Sequence, residues 1–165
     1  MGTSSNHHPG IRVTDIDRSA RFYMDVFDGH WLTMPFVIEG DFAEVVMEGP
    51  PGVRFKVCHV GFDDGCVELF EFLEPVHPSD PVHPTRGNFI HFGFQVDDVD
   101  EALRRVEANG GRRIWPEVNP WGTAKVIYVK DPDGNILELT DASLQQIVDL
   151  TIEAMPDADP ARAKA

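Results

Sequence analysis

Ile90-His91-Phe92-Gly93-Phe94-Gln95-Val96-Asp97-Asp98 is the stretch that decides how this chain folds. From Phe92 to Val96, apolar side chains alternate with small or polar ones, the period of a strand with one buried face. Asp98-Val99-Asp100-Glu101 follows at once. An acidic cap residue with Glu three positions later is a helix start. The same phrase occurs earlier as His8-Pro9-Gly10-Ile11-Arg12-Val13-Thr14-Asp15. His8, Val13 and Asp15 stand 83 residues before His91, Val96 and Asp98. Matches at one offset, each leading from strand into helix, mark a duplicated unit.

Reading outward, residues 7–74 form module one, 75–87 a proline-rich linker, 88–140 module two and 141–155 a C-terminal helix, all within one domain spanning 1–165. In module one a strand is expected over 8–14. A helix follows over 16–27, with Ile16, Ala20, Tyr23 and Phe27 on one stripe. Strands are expected over 31–37, 53–60 and 66–73, and residues 42–47 read equally as strand or short helix. Pro9 lacks an amide hydrogen and fits only near a strand's start or edge. Module two repeats the order, with a strand over 88–96, a helix over 99–109, and strands over 113–115, 125–130 and 135–140. The tail beyond Pro156 reads as disordered.

Composition limits the function. The chain has 165 residues, 28 acidic and 14 basic, for a net charge of −14. That charge repels nucleic acid and anionic membrane, so neither is expected as a partner. No apolar run approaches the roughly 20 residues that span a bilayer, and no secretory leader is visible. Cys58 and Cys66 lie in β-like runs without a CxxC pair. Reduced core thiols in a cytoplasmic protein are the expectation.

Each module carries a histidine at its first strand and a glutamate on its last: His8 with Glu68, and His91 with Glu138. The spacings are 60 and 47 residues, and the 13 extra residues match the ambiguous insertion near 40–52. Two imidazoles and two carboxylates make an N₂O₂ set suited to a divalent metal. Competing assignments exist. His7 is a neighbour of the ligand or the ligand itself. Glu71 rivals Glu68, but strand alternation puts the two on opposite faces, so only one can enter a cavity. His59 is an ordinary strand residue or lines the cavity, His30 is an ordinary strand residue, and His77 and His83 are solvated in the linker. Phe70, Phe72, Trp115 and Trp121 wall a pocket or fill the core.

The chain resembles the vicinal-oxygen-chelate superfamily in His8-x-x-Ile11-x-Val13-x-Asp15-x-x-Arg18-Ser19-x-x-Phe22-Tyr23, in Val67-Glu68-Leu69, in His91-x-x-Phe94-x-Val96-x-Asp98 and in Asp131-Pro132-Asp133-Gly134-Asn135-x-x-Glu138-Leu139. That group includes glyoxalase I, methylmalonyl-CoA epimerase, extradiol dioxygenases and antibiotic-binding proteins. The resemblance implies an α+β fold of paired βαβββ modules, glyoxalase-like, whose sheets curl around a metal cavity. It implies His8, Glu68, His91 and Glu138 as ligands of one divalent ion. Zinc comes first, with nickel, cobalt, manganese and iron(II) as alternatives. A homodimer is implied as well, and the apolar stripe of the C-terminal helix needs a partner surface.

Departures from the family's branches narrow the chemistry. Dioxygenases of the group use two histidines and one carboxylate, whereas Glu68 resembles the isomerase and epimerase branches. Glyoxalase I carries Asn four residues after the first glutamate, where this chain has Phe72, although Arg12 matches its glutathione-contacting arginine. No basic cluster suits a CoA ester, since Arg104-Arg105 falls on a helix and Arg112-Arg113 in the loop after it. The expectation is a metal-dependent epimerase or isomerase of a small polyhydroxy ketone, sugar-like or a valiolone-type C7 cyclitol. Glu68 and Glu138 would be its catalytic carboxylates, removing and returning the proton α to a carbonyl through an enediolate. The alternatives are a glyoxalase I-like lactoylglutathione lyase, a methylmalonyl-CoA epimerase-like enzyme, an Fe(II) extradiol dioxygenase and a metal-free sequestering protein.

Overall fold

Two α/β modules share one hydrophobic core in the computed structural model, which describes residues 7–77 and 90–161. Module one runs β1 (Gly10–Val13), α1 (Ile16–Phe27), β2 (His30–Ile38), α2 (Asp41–Met47), β3 (Arg54–Phe62) and β4 (Gly65–Glu74). Module two runs β5 (Phe92–Gln95), α3 (Val99–Ala108), β6 (Arg112–Arg113), β7 (Asn119–Trp121), β8 (Ala124–Lys130) and β9 (Ile136–Thr140), followed by α4 (Leu144–Ala154). The sheets have orders β1-β4-β3-β2 and β5-β9-β8-β6, with β7 also paired to β8. In each, the first strand is parallel to the last and the other pairings are antiparallel. The expected α+β fold of paired modules with two curled sheets and a C-terminal helix is the one observed.

The helix starts follow from the repeated phrase. Asp15 is extended and its carboxylate accepts the Arg18 N–H, capping α1; Asp98 does the same for α3 through the Glu101 N–H. α1 buries Ile16, Ala20, Phe22, Tyr23 and Val26, and α3 buries Val99, Ala102, Leu103 and Val106. Both faces enter the same core as Leu69 of β4 and Leu137 and Leu139 of β9. Fully burying each large apolar side chain contributes roughly 1.5–3 kcal/mol. Phe27 of α1 stacks on Phe94 of β5 at 3.9 Å, so the helix of one module closes on the sheet of the other.

Polar ties cross the same boundary. Tyr23 donates its hydroxyl to Asp131 at 2.9 Å, and Asn135 Nδ2 reaches the Arg12 carbonyl at 3.3 Å. The Asp-Pro-Asp-Gly-Asn turn between β8 and β9 is therefore a clasp on module one as well as a hairpin.

Several boundaries differ from the sequence reading. β1 begins at Gly10 and not at His8, because Pro9 has no N–H for the ladder; its carbonyl still accepts Glu68 N–H at 3.0 Å. β5 begins at Phe92, so each histidine stands just before its strand. Residues 42–47 belong to a helix, α2, whose Ala43 is buried against Val53, Phe55 and Val57. β7, unforeseen, forms a hairpin with β8. α4 seats Leu150 against the turn of that hairpin, where Gly122 has φ +61° and a Cβ would lie 2.5 Å from Leu150 Cδ2. Pro156–Ala158 forms a 3₁₀ turn where disorder was expected. Most of the linker, His83, and the expected start of the strand at 88 lie outside the described residues. Among the described residues no helix is long and apolar enough to cross a membrane.

Candidate metal centre

Strand alternation assigns the candidate ligands to one face of each sheet. In β4, Val67 and Leu69 enter the shared core, so Glu68 stands on the opposite face. Its carboxylate Oε2 lies 3.1 Å from His8 Nε2. Glu71, the rival, points to the helix side, where it accepts the Ile16 N–H at 3.2 Å and pairs with Lys56 at 3.1 Å. In β9, Leu137 and Leu139 are in the core and Glu138 faces away from it. Glu138 Oε2 lies 2.9 Å from His91 Nε2.

Glycine recurs beside each carboxylate. Gly10 is the register partner of Glu68, and Gly93 that of Glu138. A Cβ on Gly10 would lie 3.1 Å from the Phe70 ring and 3.7 Å from Glu68 Oε2, while one on Gly93 would meet only the Glu138 carbonyl, at 3.9 Å. Gly10 thus lets the Phe70 ring lie close beside Glu68, while Gly93 leaves open space beside Glu138.

The four residues come together two and two. Among the described residues no group of three His, Cys, Asp or Glu side chains is placed to hold a metal ion. Both histidines border one cleft of about 1190 Å³ between the modules, alongside Phe62, Cys66, Phe94 and Asp97. The chemistry of each pair fits half of an N₂O₂ site. Adjacent ligands on an ion with bonds near 2.0–2.2 Å stand about 3 Å apart, which is the separation within each pair. Among the described residues, the buried His91 Nδ1 has no hydrogen-bond partner.

The neighbours were only partly foreseen. His59 of β3 is the register partner of Glu68, and its Nε2 lies 3.3 Å from Glu68 Oε1. The His8 and His59 rings meet edge to face at 5.8 Å. In module two the corresponding position is Tyr128, whose hydroxyl donates to Glu138 Oε2 at 2.8 Å. Burial, then the hydrogen bond to Glu138 and its charge, push the Tyr128 hydroxyl up to about 12, so it remains a donor at neutral pH. His7 Nδ1 lies 2.5 Å from His8 Nδ1, a neighbour of the pair. Arg12 sits over the Phe72 ring at 6.0 Å, and Phe72 packs on Phe55.

Residues 5–139 match the family model described as the Glyoxalase/Bleomycin resistance protein/Dioxygenase superfamily. The chain belongs to that superfamily. Within this glyoxalase superfamily, the chain is 31% identical over 134 residues to a lactoylglutathione lyase of Neisseria meningitidis, covering 79% of this chain and 86% of that one. A glyoxalase family protein from Bacillus cereus superposes with a TM-score of 0.70 at 19% identity, covering 85% of this chain and 95% of that one. The fosfomycin resistance protein FosX from Listeria monocytogenes, solved with Mn(II) and sulfate, matches with a TM-score of 0.55 at 18% identity, covering 89% and 99%. The family expected from the motifs is therefore the right one. Its epimerase branch is not distinguished, and the curated relative carries the name of the alternative instead.

Proposed function

We propose that this glyoxalase-superfamily chain is a metal-dependent isomerase of the lactoylglutathione lyase type, acting on the hemithioacetal of glutathione and an α-ketoaldehyde. The observation that carries this reading is the matched His/Glu pair on each module, His8 with Glu68 and His91 with Glu138. The 31% identity to a lactoylglutathione lyase supports it. A divalent ion held by these four residues, zinc first among the candidates, supplies Lewis-acid polarisation of a carbonyl and its neighbouring oxygen. One glutamate removes the proton from the carbon beside that carbonyl and returns it to the adjacent carbon. Gly93 leaves the substrate room beside Glu138, and Arg12 offers a guanidinium to a substrate carboxylate.

Two copies complete the site in this proposal. Glu68 and Glu138 both face away from the core their sheets share, so a second chain in a homodimer brings module two of one copy to module one of the other. Leu144 at 80% exposure, Val148 and Met155 on and beside α4, and Met34 at 63% on β2, offer apolar surface for such a contact. With Cys58 and Cys66 both free, we assign the protein to the reducing cytoplasm.

A second reading, epimerisation of a small polyhydroxy ketone, is favoured by Phe72. The ring is held against Phe55 beneath Arg12, an apolar surface with no amide for glutathione. Thioester formation from methylglyoxal and glutathione by the metal-loaded protein tests the first reading. Deuterium uptake from solvent into a polyhydroxy ketone with inversion, and no thioester formation, would establish the second in its place.

A further inference from the structure

His59, Thr33 and Tyr128 surround the carboxylates and have no part in the function proposed above. Thr33 and His59 meet at two points. The His59 main-chain N–H donates to Thr33 Oγ1 at 2.9 Å, and the same Oγ1 lies 3.0 Å from His59 Nδ1. Nε2 faces Glu68 Oε1 at 3.3 Å. A neutral ring with its hydrogen on Nε2 turns that hydrogen toward the carboxylate and leaves Nδ1 to accept the Thr33 hydroxyl hydrogen. The opposite tautomer would set a bare nitrogen against a carboxylate oxygen. With its hydrogen on Nε2, His59 presents that hydrogen to Glu68, within ion-pair distance of it, and keeps no Nε2 lone pair for an ion.

The two modules use equivalent positions differently. Glu68 is approached at both oxygens, by His8 at Oε2 and by His59 at Oε1. Glu138 receives both His91 and Tyr128 at the same oxygen, Oε2. A carboxylate held at two oxygens cannot turn about its terminal bond, whereas one held at a single oxygen can.

We propose that His59, fixed by Thr33, is the positioning residue that locks Glu68 toward the ion, while Tyr128 tethers Glu138 and leaves it free to turn, so that module one is the fixed half of the centre and module two the yielding half. This rests on the metal-site reading, because it concerns how the chain prepares two of its four donors.

Cobalt(II) titration of the purified protein tests it, with affinity measured against a competing chelator and the visible ligand-field spectrum recorded for each variant. Outer partners of metal ligands contribute about 10–100-fold to affinity. His59→Ala should lose that much affinity and shift the spectrum, with one cobalt still bound per chain at saturation. His59→Gln, which keeps an N–H donor, should recover most of both. Thr33→Val should fall between them, and Tyr128→Phe should change affinity less than His59→Ala does. Wild-type affinity and spectrum in His59→Ala would overturn the proposal. So would loss of all binding in both His59 variants, which would make His59 a ligand, and so would a Tyr128→Phe loss equal to that of His59→Ala. A wild-type chain that takes up no cobalt refutes the metal-site reading itself, and is distinguishable from these because it appears before any substitution.

Discussion

Asp133 Oδ2 accepts the Ser19 hydroxyl at 2.5 Å, joining the last turn of module two to the first helix of module one. Its other oxygen accepts the Thr14 N–H at 2.8 Å and Arg18 at 2.6 Å. Burial alone would raise this carboxyl, but the hydrogen bonds from Ser19, Thr14 and Arg18 outweigh it and hold the group below the usual carboxylate range. A lowered folded value contributes stability that is present above the ordinary unfolded value of about 3.9 and lost as pH falls through the folded one. Asp133→Asn should cost roughly 2–3 kcal/mol at neutral pH and flatten the loss of stability below about pH 4. Urea midpoints at neutral and acid pH check this, and an unchanged acid slope in the variant would refute it.

Metal binding should depend on both copies. His91→Ala is expected to abolish stoichiometric metal uptake, and His8→Ala likewise. If each site takes one pair from each chain of a two-fold dimer, heterodimers of the two variants contain one native site and one doubly damaged site. Unfolding, mixing in equal amounts and refolding should restore about one quarter of wild-type metal content. Metal analysis giving none would place the whole site within one chain. Light scattering should also report twice the 18.4 kDa chain mass.

Turnover should need one carboxylate as base. Glu68→Gln and Glu138→Gln each keep an oxygen near the proposed ion site, and the one that removes the base should slow thioester formation roughly 10²–10⁴-fold, the other less. Steady-state rates with methylglyoxal and glutathione, at metal contents matched by analysis, measure this. Wild-type rates in both variants would reduce the glutamates to ligands or structural residues.

Cys58 should be inert in the folded chain. Burial, with smaller contributions from the Asp17 and Glu68 charges, pushes its thiol up to about 12. Since the thiolate is the reactive form, a disulfide reagent at mildly alkaline pH should modify Cys58 only after unfolding in urea. Rapid modification of Cys58 in the native protein would contradict its burial.

The candidate site's histidines and glutamates were more legible in the sequence than their surroundings. Histidine and glutamate recur with the 83-residue phrase, and alternation separates Glu68 from Glu71 without any coordinates. Glu71 proves to hold the start of α1 and Lys56. His59 and Tyr128 were not legible as a pair, because each meets its glutamate across a hairpin whose register the sequence does not state. Thr33 lay further out of reach, since β2 shifts register on either side of it. α2 spans only seven residues, too few for periodicity to separate helix from strand. β7 contains Pro120, a residue that argues against a strand, and exists only because Asn119 and Trp121 flank it opposite β8. The stacking of Phe27 on Phe94, which joins α1 to the other module's sheet, is a long-range contact with no local signature.

The alternation in β4 also makes assembly errors visible. Gly10 faces Glu68 and Val13 faces Glu71 across the β1–β4 ladder. A slip by one residue would send Leu69 to the face that carries His59 and drive Glu68 into the apolar interior. A one-residue slip therefore loses the core and the candidate ligand together. At the proposed site, bound cobalt per chain, measured after refolding from denaturant, should count the molecules that found the right register, which would make the ion an assay of folding fidelity.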